Sequence, residues 1–303
     1  MAQSSTETPA VCSYEGSGYR TDFWEGRGRD YEDRVERIAL RRLLPSTGKR
    51  LLEIGAGFGR LTDEFSGYEQ VILLDYSRSL LAEAQAHLGT NERFIYVAAN
   101  IYESPIADGV CDAATMIRVI HHMEDAPAAL TQIRMALAPQ ATFVLEFANK
   151  RNLKAMVRHL LRRQDWSPYS EAPVEFVKLN FDFHPRYIRK ALEAADFKTN
   201  RQLTVSYLRM GFLKRLIPTG LLVKMDSLLQ WTGAVATFSP SVFTRNITVG
   251  STPSARLDGS LFKCPSCKNA KLIEQTDYLD CGSCGARWSK EGGIYNFKEP
   301  LNT

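Results

Sequence analysis

The chain has 303 residues, of which 44% are apolar and 24% charged, and a formal net charge of +4. That length suits one large domain or a domain with an appendage, and the composition excludes a disordered or fibrous chain. So small a positive surplus does not mark a nucleic-acid binder, and no apolar run has the length of a membrane-spanning helix.

Residues 1–13 open with a polar stretch, read as a disordered tail with no secretory signal, which places the protein in the cytoplasm. Next comes a segment dense in aromatics, glycines and arginines, including Tyr19, Trp24 and Arg29. Such a loop suits a lid over a ligand carrying a ring and a carboxylate, or a loop pinned to the core by its aromatics. Residues 31–44 carry Val35, Ile38, Ala39 and Leu43 at helical spacing and stop at Pro45. An apolar run then ends at Glu53-Ile54 and passes into Gly55-Ala56-Gly57-Phe58-Gly59, after which residues 61–65 resume helical spacing. Strand, glycine turn and helix make a loop that lets backbone approach a ligand and offers it free N–H groups. A second strand, residues 71–74, ends in Asp75 and Tyr76, with the acid placed to take ribose hydroxyls. A helix from Ser77 to Gly89 and a third strand ending near Asn100-Ile101 follow. A fourth strand, residues 111–117, runs into Arg118, His121 and His122; a helix over 128–137, a turn over 138–141 and a fifth strand over 142–147 complete the alternation. Strands alternating with helices predict an α/β, doubly wound, mostly parallel sheet.

The pattern Glu53-x-Gly55-x-Gly57-x-Gly59 with Asp75 at the next strand end resembles the class I S-adenosylmethionine-dependent methyltransferases. The resemblance covers residues 50–150 and continues loosely to 250, and it implies a seven-stranded sheet whose last strand is antiparallel. It also implies that Glu53, Gly55, Ala56, Gly57, Gly59, Asp75, Tyr76, Ile101 and Arg118 meet the cofactor; if the aromatic segment is a lid, Tyr19, Trp24 and Arg29 close over it. Asn100 stands where the family commonly has an acid for the adenine amine, and its amide oxygen can accept the same bond. The segment 118–125 resembles the family's histidine-containing motif after the fourth strand, and either His121 or His122 could be a general base.

Two insertions, near 149–183 and 209–240, fall where this family builds substrate covers. The first contains an amphipathic basic helix over 151–163: Leu153, Met156, Val157, Leu160 and Leu161 share one face, Arg151, Lys154, Arg158 and Arg162 another. A packed helix with a solvated basic face is the plain expectation; contact with an anionic substrate or a membrane surface is the alternative. The methyltransferase domain is thus expected over 14–250, a small polar linker over 251–258, and an appendage over 259–303.

The appendage carries Cys264, Cys267, Cys281 and Cys284 as C-x₂-C-x₁₃-C-x₂-C, a spacing that brings four thiolates to one structural Zn²⁺. It resembles the small zinc-ribbon proteins that activate translation-linked methyltransferases, although Trp288-Ser289 stands where those have Tyr-Pro. Three functions remain: methyl transfer from S-adenosylmethionine to a small-molecule or lipid-linked metabolite, methylation of tRNA, rRNA or a translation factor, and a non-catalytic nucleotide-binding scaffold. The two apolar covers suggest an enclosed pocket and put the first foremost. The ribbon and the basic helix motivate the second, through protein or RNA contact; the intact glycine loop with Asp75 speaks against the third.

Overall fold

Alternating apolar residues in adjacent strands send their side chains to opposite faces of one sheet, and each face builds its own core. The computed structural model describes residues 8–251, 259–268 and 272–302. In chain order these form α1 (Tyr19–Phe23), α2 (Asp30–Leu43), β1 (Gly48–Ile54), β2 (Tyr68–Asp75), α3 (Arg78–Leu88), β3 (Phe94–Ala98), β4 (Cys111–Met116), α4 (Ala126–Ala136), β5 (Leu137–Ala148) and α5 (Leu153–Leu160). They continue with β6 (Val174–Val177), β7 (Asn180–Asp182), α6 (Pro185–Ala194), β8 (Phe197–Val205), α7 (Gly211–Leu216), α8 (Thr219–Leu229), β9 (Ser241–Thr248), β10 (Leu272–Glu274), β11 (Tyr278–Cys281), β12 (Arg287–Glu291) and β13 (Ile294–Asn296).

The central strands run β3-β2-β1-β4-β5-β9-β8. β3 through β5 are parallel, and β9 lies antiparallel between β5 and β8. Leu51, Val71 and Leu73 pack under α2, α3 and α8, whereas Leu52, Ile72 and Leu74 pack with α4 and α6 on the other face. The expected seven-stranded Rossmann-like methyltransferase fold is therefore present.

Four expectations are corrected. First, the tail is ordered from residue 8: Val11 bridges Met123, and the Ala10 N–H donates to Glu124 at 2.7 Å. Residues 1–7 of the expected tail and nearly all of the expected linker lie outside the described residues. Second, the glycine turn feeds one 3₁₀ turn, Thr62–Phe65, where an α-helix was expected. Third, residues 138–141 sit inside β5, and Gln140 takes the positive φ (61°) that a glycine would otherwise supply.

The fourth correction concerns the appendage. It does not keep a core of its own, because β13 pairs in parallel with β3 and extends the sheet to eleven strands, β10-β11-β12-β13-β3 and onward. β3 would otherwise be an open edge with unpaired backbone groups. Phe262, Leu279, Trp288 and Phe297 join the same apolar core as Ile106 and Val97. Around them Phe262 bridges Ile106, the Phe297 N–H donates to the Ala98 carbonyl at 2.7 Å, and Lys263 pairs with Asp108 at 2.7 Å. The ribbon is built onto the domain.

Candidate functional site

The site forms at the carboxyl ends of β1, β2 and β4, where an α/β sheet opens a crevice for ligand. β1 ends at Ile54, and the Gly55 and Ala56 N–H groups turn back to the Leu74 carbonyl at 2.7 and 3.2 Å. Gly55 has φ +66°, and a Cβ there would lie 2.1 Å from Val119 Cγ2. Gly57, also left-handed at +54°, leaves its side-chain position open, with Leu80 Cδ1 nearest at 4.0 Å. Gly59 serves packing: its Cβ position faces Ala84 and Leu88 of α3.

Asp75 closes the turn. One carboxylate oxygen accepts the Gly57 N–H and the other the Ser77 N–H, both at 2.8 Å. Each oxygen retains a second lone pair for a ligand hydroxyl. Burial raises the Asp75 pKa, with those N–H bonds opposing. Glu53 lies deeper, accepting the Thr62 hydroxyl at 2.6 Å, and burial pushes its pKa up to about 7.

The cleft takes in about 950 Å³ of space, the open solvent at its mouth included. Of the residues expected from sequence, Tyr19, Trp24, Glu53, Gly55, Ala56, Gly57, Asp75, Tyr76, Ile101, Arg118 and His122 line it. Arg29, Gly59, Asn100 and His121 do not. Arg29 caps the start of α2. The Asn100 amide oxygen is engaged locally, accepting the Tyr102 N–H at 3.0 Å, and its neighbours Ala99 and Ile101 form the wall instead.

Of the two histidines named as candidate bases, His122 lines the cleft, with Nδ1 3.1 Å from the Leu179 carbonyl and Nε2 3.3 Å from the Tyr14 hydroxyl. A carbonyl only accepts, so the proton sits on Nδ1 and Nε2 is the basic nitrogen. Burial lowers its pKa below the ordinary histidine value. His121 lies off the cleft, its Nδ1 buried without a partner among the described residues, and burial beside His122 and Arg118 lowers its pKa further.

Arg118 adopts a left-handed φ of 60°, which turns its N–H onto Glu146 at 2.9 Å and its guanidinium onto Glu36. Arg60 reaches the second Glu36 oxygen at 2.9 Å. Trp24 covers both guanidinium groups, with its ring centre 3.8 Å from that of Arg60 and 5.1 Å from that of Arg118. The aromatic segment is therefore pinned: Tyr14, Tyr19 and Phe23 pack ring against ring in tilted and edge-on pairs, while Tyr14, Tyr19 and Trp24 face the cleft. Sequence reading missed Val11, Cys12 and Tyr14 as wall residues; the apolar pair Val11-Cys12 in a polar terminus was the available signal.

At the far edge of the sheet the four expected cysteine sulfurs lie within 4.8 Å of one another, with Cys264–Cys284 at 3.7 Å and Cys267–Cys281 at 3.6 Å. A tetrahedral ion with Zn–S bonds of about 2.3 Å has S–S edges near 3.8 Å, so the donor set and spacing fit Zn²⁺.

A sheet of this order, with a glycine turn and a strand-end acid at its carboxyl edge, defines the methyltransferase architecture. The methyltransferase domain family matches residues 23–202, more than half of the chain, and the chain belongs to that family. Among curated relatives, O-methyltransferase resE of Aspergillus sclerotiorum is 31% identical over 112 residues, covering 35% of this chain and 42% of its own. O-methyltransferase cnsE of Penicillium expansum is 30% identical over 140 residues, covering 43% and 51%. The chain thus matches about half or less of the length of these relatives. Among solved structures, an S-adenosylmethionine-dependent methyltransferase from Listeria monocytogenes superposes with a TM-score of 0.52 at 14% identity, covering 73% of this chain and 99% of that one. The methyltransferase complex with the Trm112 activator of Haloferax volcanii gives 0.51 at 16% identity, covering 75% and 95%. At these identities the structural likeness establishes fold. Among the described residues no helix is long and apolar enough to cross a membrane.

Proposed function

We propose that the chain transfers the methyl group of S-adenosylmethionine to a small-molecule or lipid-linked acceptor. The observation that carries this is Asp75, held by the Gly57 and Ser77 N–H groups at the mouth of an open glycine turn. A buried carboxylate with spare lone pairs beside backbone that leaves room for a ligand suits a ribose diol. Leu80, Ala99 and Ile101 add an apolar wall for a base. Bound, the cofactor supplies an activated sulfonium methyl, so the protein's task is alignment and water exclusion.

Tyr19 and Trp24 exclude water from above, and the Glu36–Arg118–Arg60 cluster fixes Trp24 in place. Where the acceptor must lose a proton, His122 Nε2 is the basic nitrogen at the wall, and Tyr14 is hydrogen-bonded to it. The small-molecule acceptor is favoured by the largely apolar cleft and by the two fungal O-methyltransferase relatives. The four cysteines are assigned one structural Zn²⁺ with no open coordination position. Isothermal titration of the full chain with S-adenosylmethionine tests the reading. Saturable one-site binding that Asp75→Ala weakens is expected; no heat at millimolar cofactor would overturn it.

A further inference from the structure

Amphipathic helices ordinarily bury the apolar face, yet α5 leaves most of its apolar residues exposed. Its buried residue is Ala155, while Leu153, Val157, Leu160 and the following Leu161 all face outward, Leu160 being 80% exposed. On the same helix and just beyond it, Lys154, Arg158, Arg162 and Arg163 meet no carboxylate among the described residues. Residues 149–164 contain no acid. The Leu153 N–H donates to the Phe238 carbonyl at 2.9 Å, which joins α5 to the end of the second insertion.

That insertion has the same character. Leu216 is 78% exposed, Leu228 74% and Val235 93%. Its cations include Arg215 and Lys224, and its sole acid, Asp226, is buried against Tyr31. α5 and the second insertion therefore present aliphatic side chains among cations with no exposed acid of their own, the exposed acids of the first insertion, Asp165 and Glu175, lying beyond α5.

We propose that these insertions form a docking face for an anionic lipid bilayer, with the leucines entering the headgroup–acyl boundary and the cations meeting lipid phosphates. The pairing of exposed aliphatic residues with unpaired cations is the chemistry of an interfacial helix. A second copy fits worse, because an isologous contact would bring the cations of one face against those of the other. Nucleic acid fits worse too, since α5 offers aliphatic groups where stacking platforms use aromatic ones. The face stands apart from the cofactor cleft, and no α5 residue lines it.

The test is sedimentation of the full chain with vesicles of phosphatidylcholine alone or mixed with phosphatidylglycerol. Binding to the anionic vesicles is expected, weakening as salt is raised, with little binding to the neutral ones. Arg158→Glu with Arg162→Glu should weaken it roughly 25-fold or more, at about a factor of five for each cation lost. Leu160→Asp with Leu161→Asp should abolish it, and both variants should keep wild-type affinity for S-adenosylmethionine, which reports on the cleft separately. Absence of binding to anionic vesicles, or equal binding of wild type and the arginine variant, overturns the proposal. So does a dimer in sedimentation velocity that the leucine variant dissolves, or capture of RNA in place of lipid.

Discussion

Replacing Gly55 with alanine asks two things of the turn at once. The backbone must hold an L-residue at φ +66°, which costs about 1–2 kcal/mol. The new Cβ must also displace Val119, whose Cγ2 lies 2.1 Å and Cγ1 3.0 Å from where it would stand. Forcing a methyl into packed space costs typically about 1–3 kcal/mol. Together the loss should be about 2–5 kcal/mol, a fall in Tm on the order of 3–8 °C. The two contributions separate in a double-mutant cycle. Val119→Ala removes both crowding methyls and leaves its own Cβ at 3.1 Å, so the double variant should recover about 1–3 kcal/mol against the sum of the singles. Differential scanning calorimetry with and without S-adenosylmethionine measures it. A double variant no more stable than additivity predicts would refute the clash and leave backbone strain alone.

Asp75→Ala should weaken S-adenosylmethionine roughly 10- to 100-fold by titration, the worth of a bond to a charged group. Burial depresses the His122 pKa, so its neutral, basic form persists as pH falls to 6.5 and is lost only below it. The acid limb of kcat/KM should accordingly lie below pH 6.5 and disappear in His122→Asn; a limb at or above pH 7 removes His122 as the base. His121 acts on stability in the same direction: its pKa falls on folding, so the unfolded chain takes up a proton near pH 6.5 that the folded chain refuses. Stability should drop as pH is lowered through that value, and His121→Phe should flatten the drop in chemical denaturation. Strong chelation should unfold the ribbon and also loosen β3, read as faster hydrogen exchange over residues 94–98; unchanged exchange there would separate the two units after all.

The strands and the turn were legible because local pattern decides them. Short apolar runs closed by Gly55 or Asp75 leave few alternatives, and sheet order follows from the alternation. What escaped depends on partners distant in sequence. The meeting of Val11 with Met123 spans more than a hundred residues, and no periodicity announces it. His121 and His122 are adjacent in sequence, and only the position of the Leu179 carbonyl and of Tyr14 decides which one faces ligand. The Tyr102 N–H occupies one lone pair of the Asn100 oxygen, a contact that spacing does not show. The spacing on α5 was read correctly as amphipathic, but a helical wheel does not say which side meets the domain.

The pairing of β13 with β3 makes docking of the ribbon an intramolecular event. A module held on a short tether experiences an effective concentration of roughly millimolar. A free ribbon protein of equal intrinsic affinity, present at micromolar levels, would lose that competition by about a thousandfold. Lys298, just past β13, reaches Glu15 at 3.1 Å and lies over the Tyr76 ring at the cleft wall, so the tethered module also touches the cofactor turn. The fusion thus fixes subunit composition in the gene: every copy of the cleft is synthesised with its own edge strand, in a ratio of one to one that no change in expression can alter.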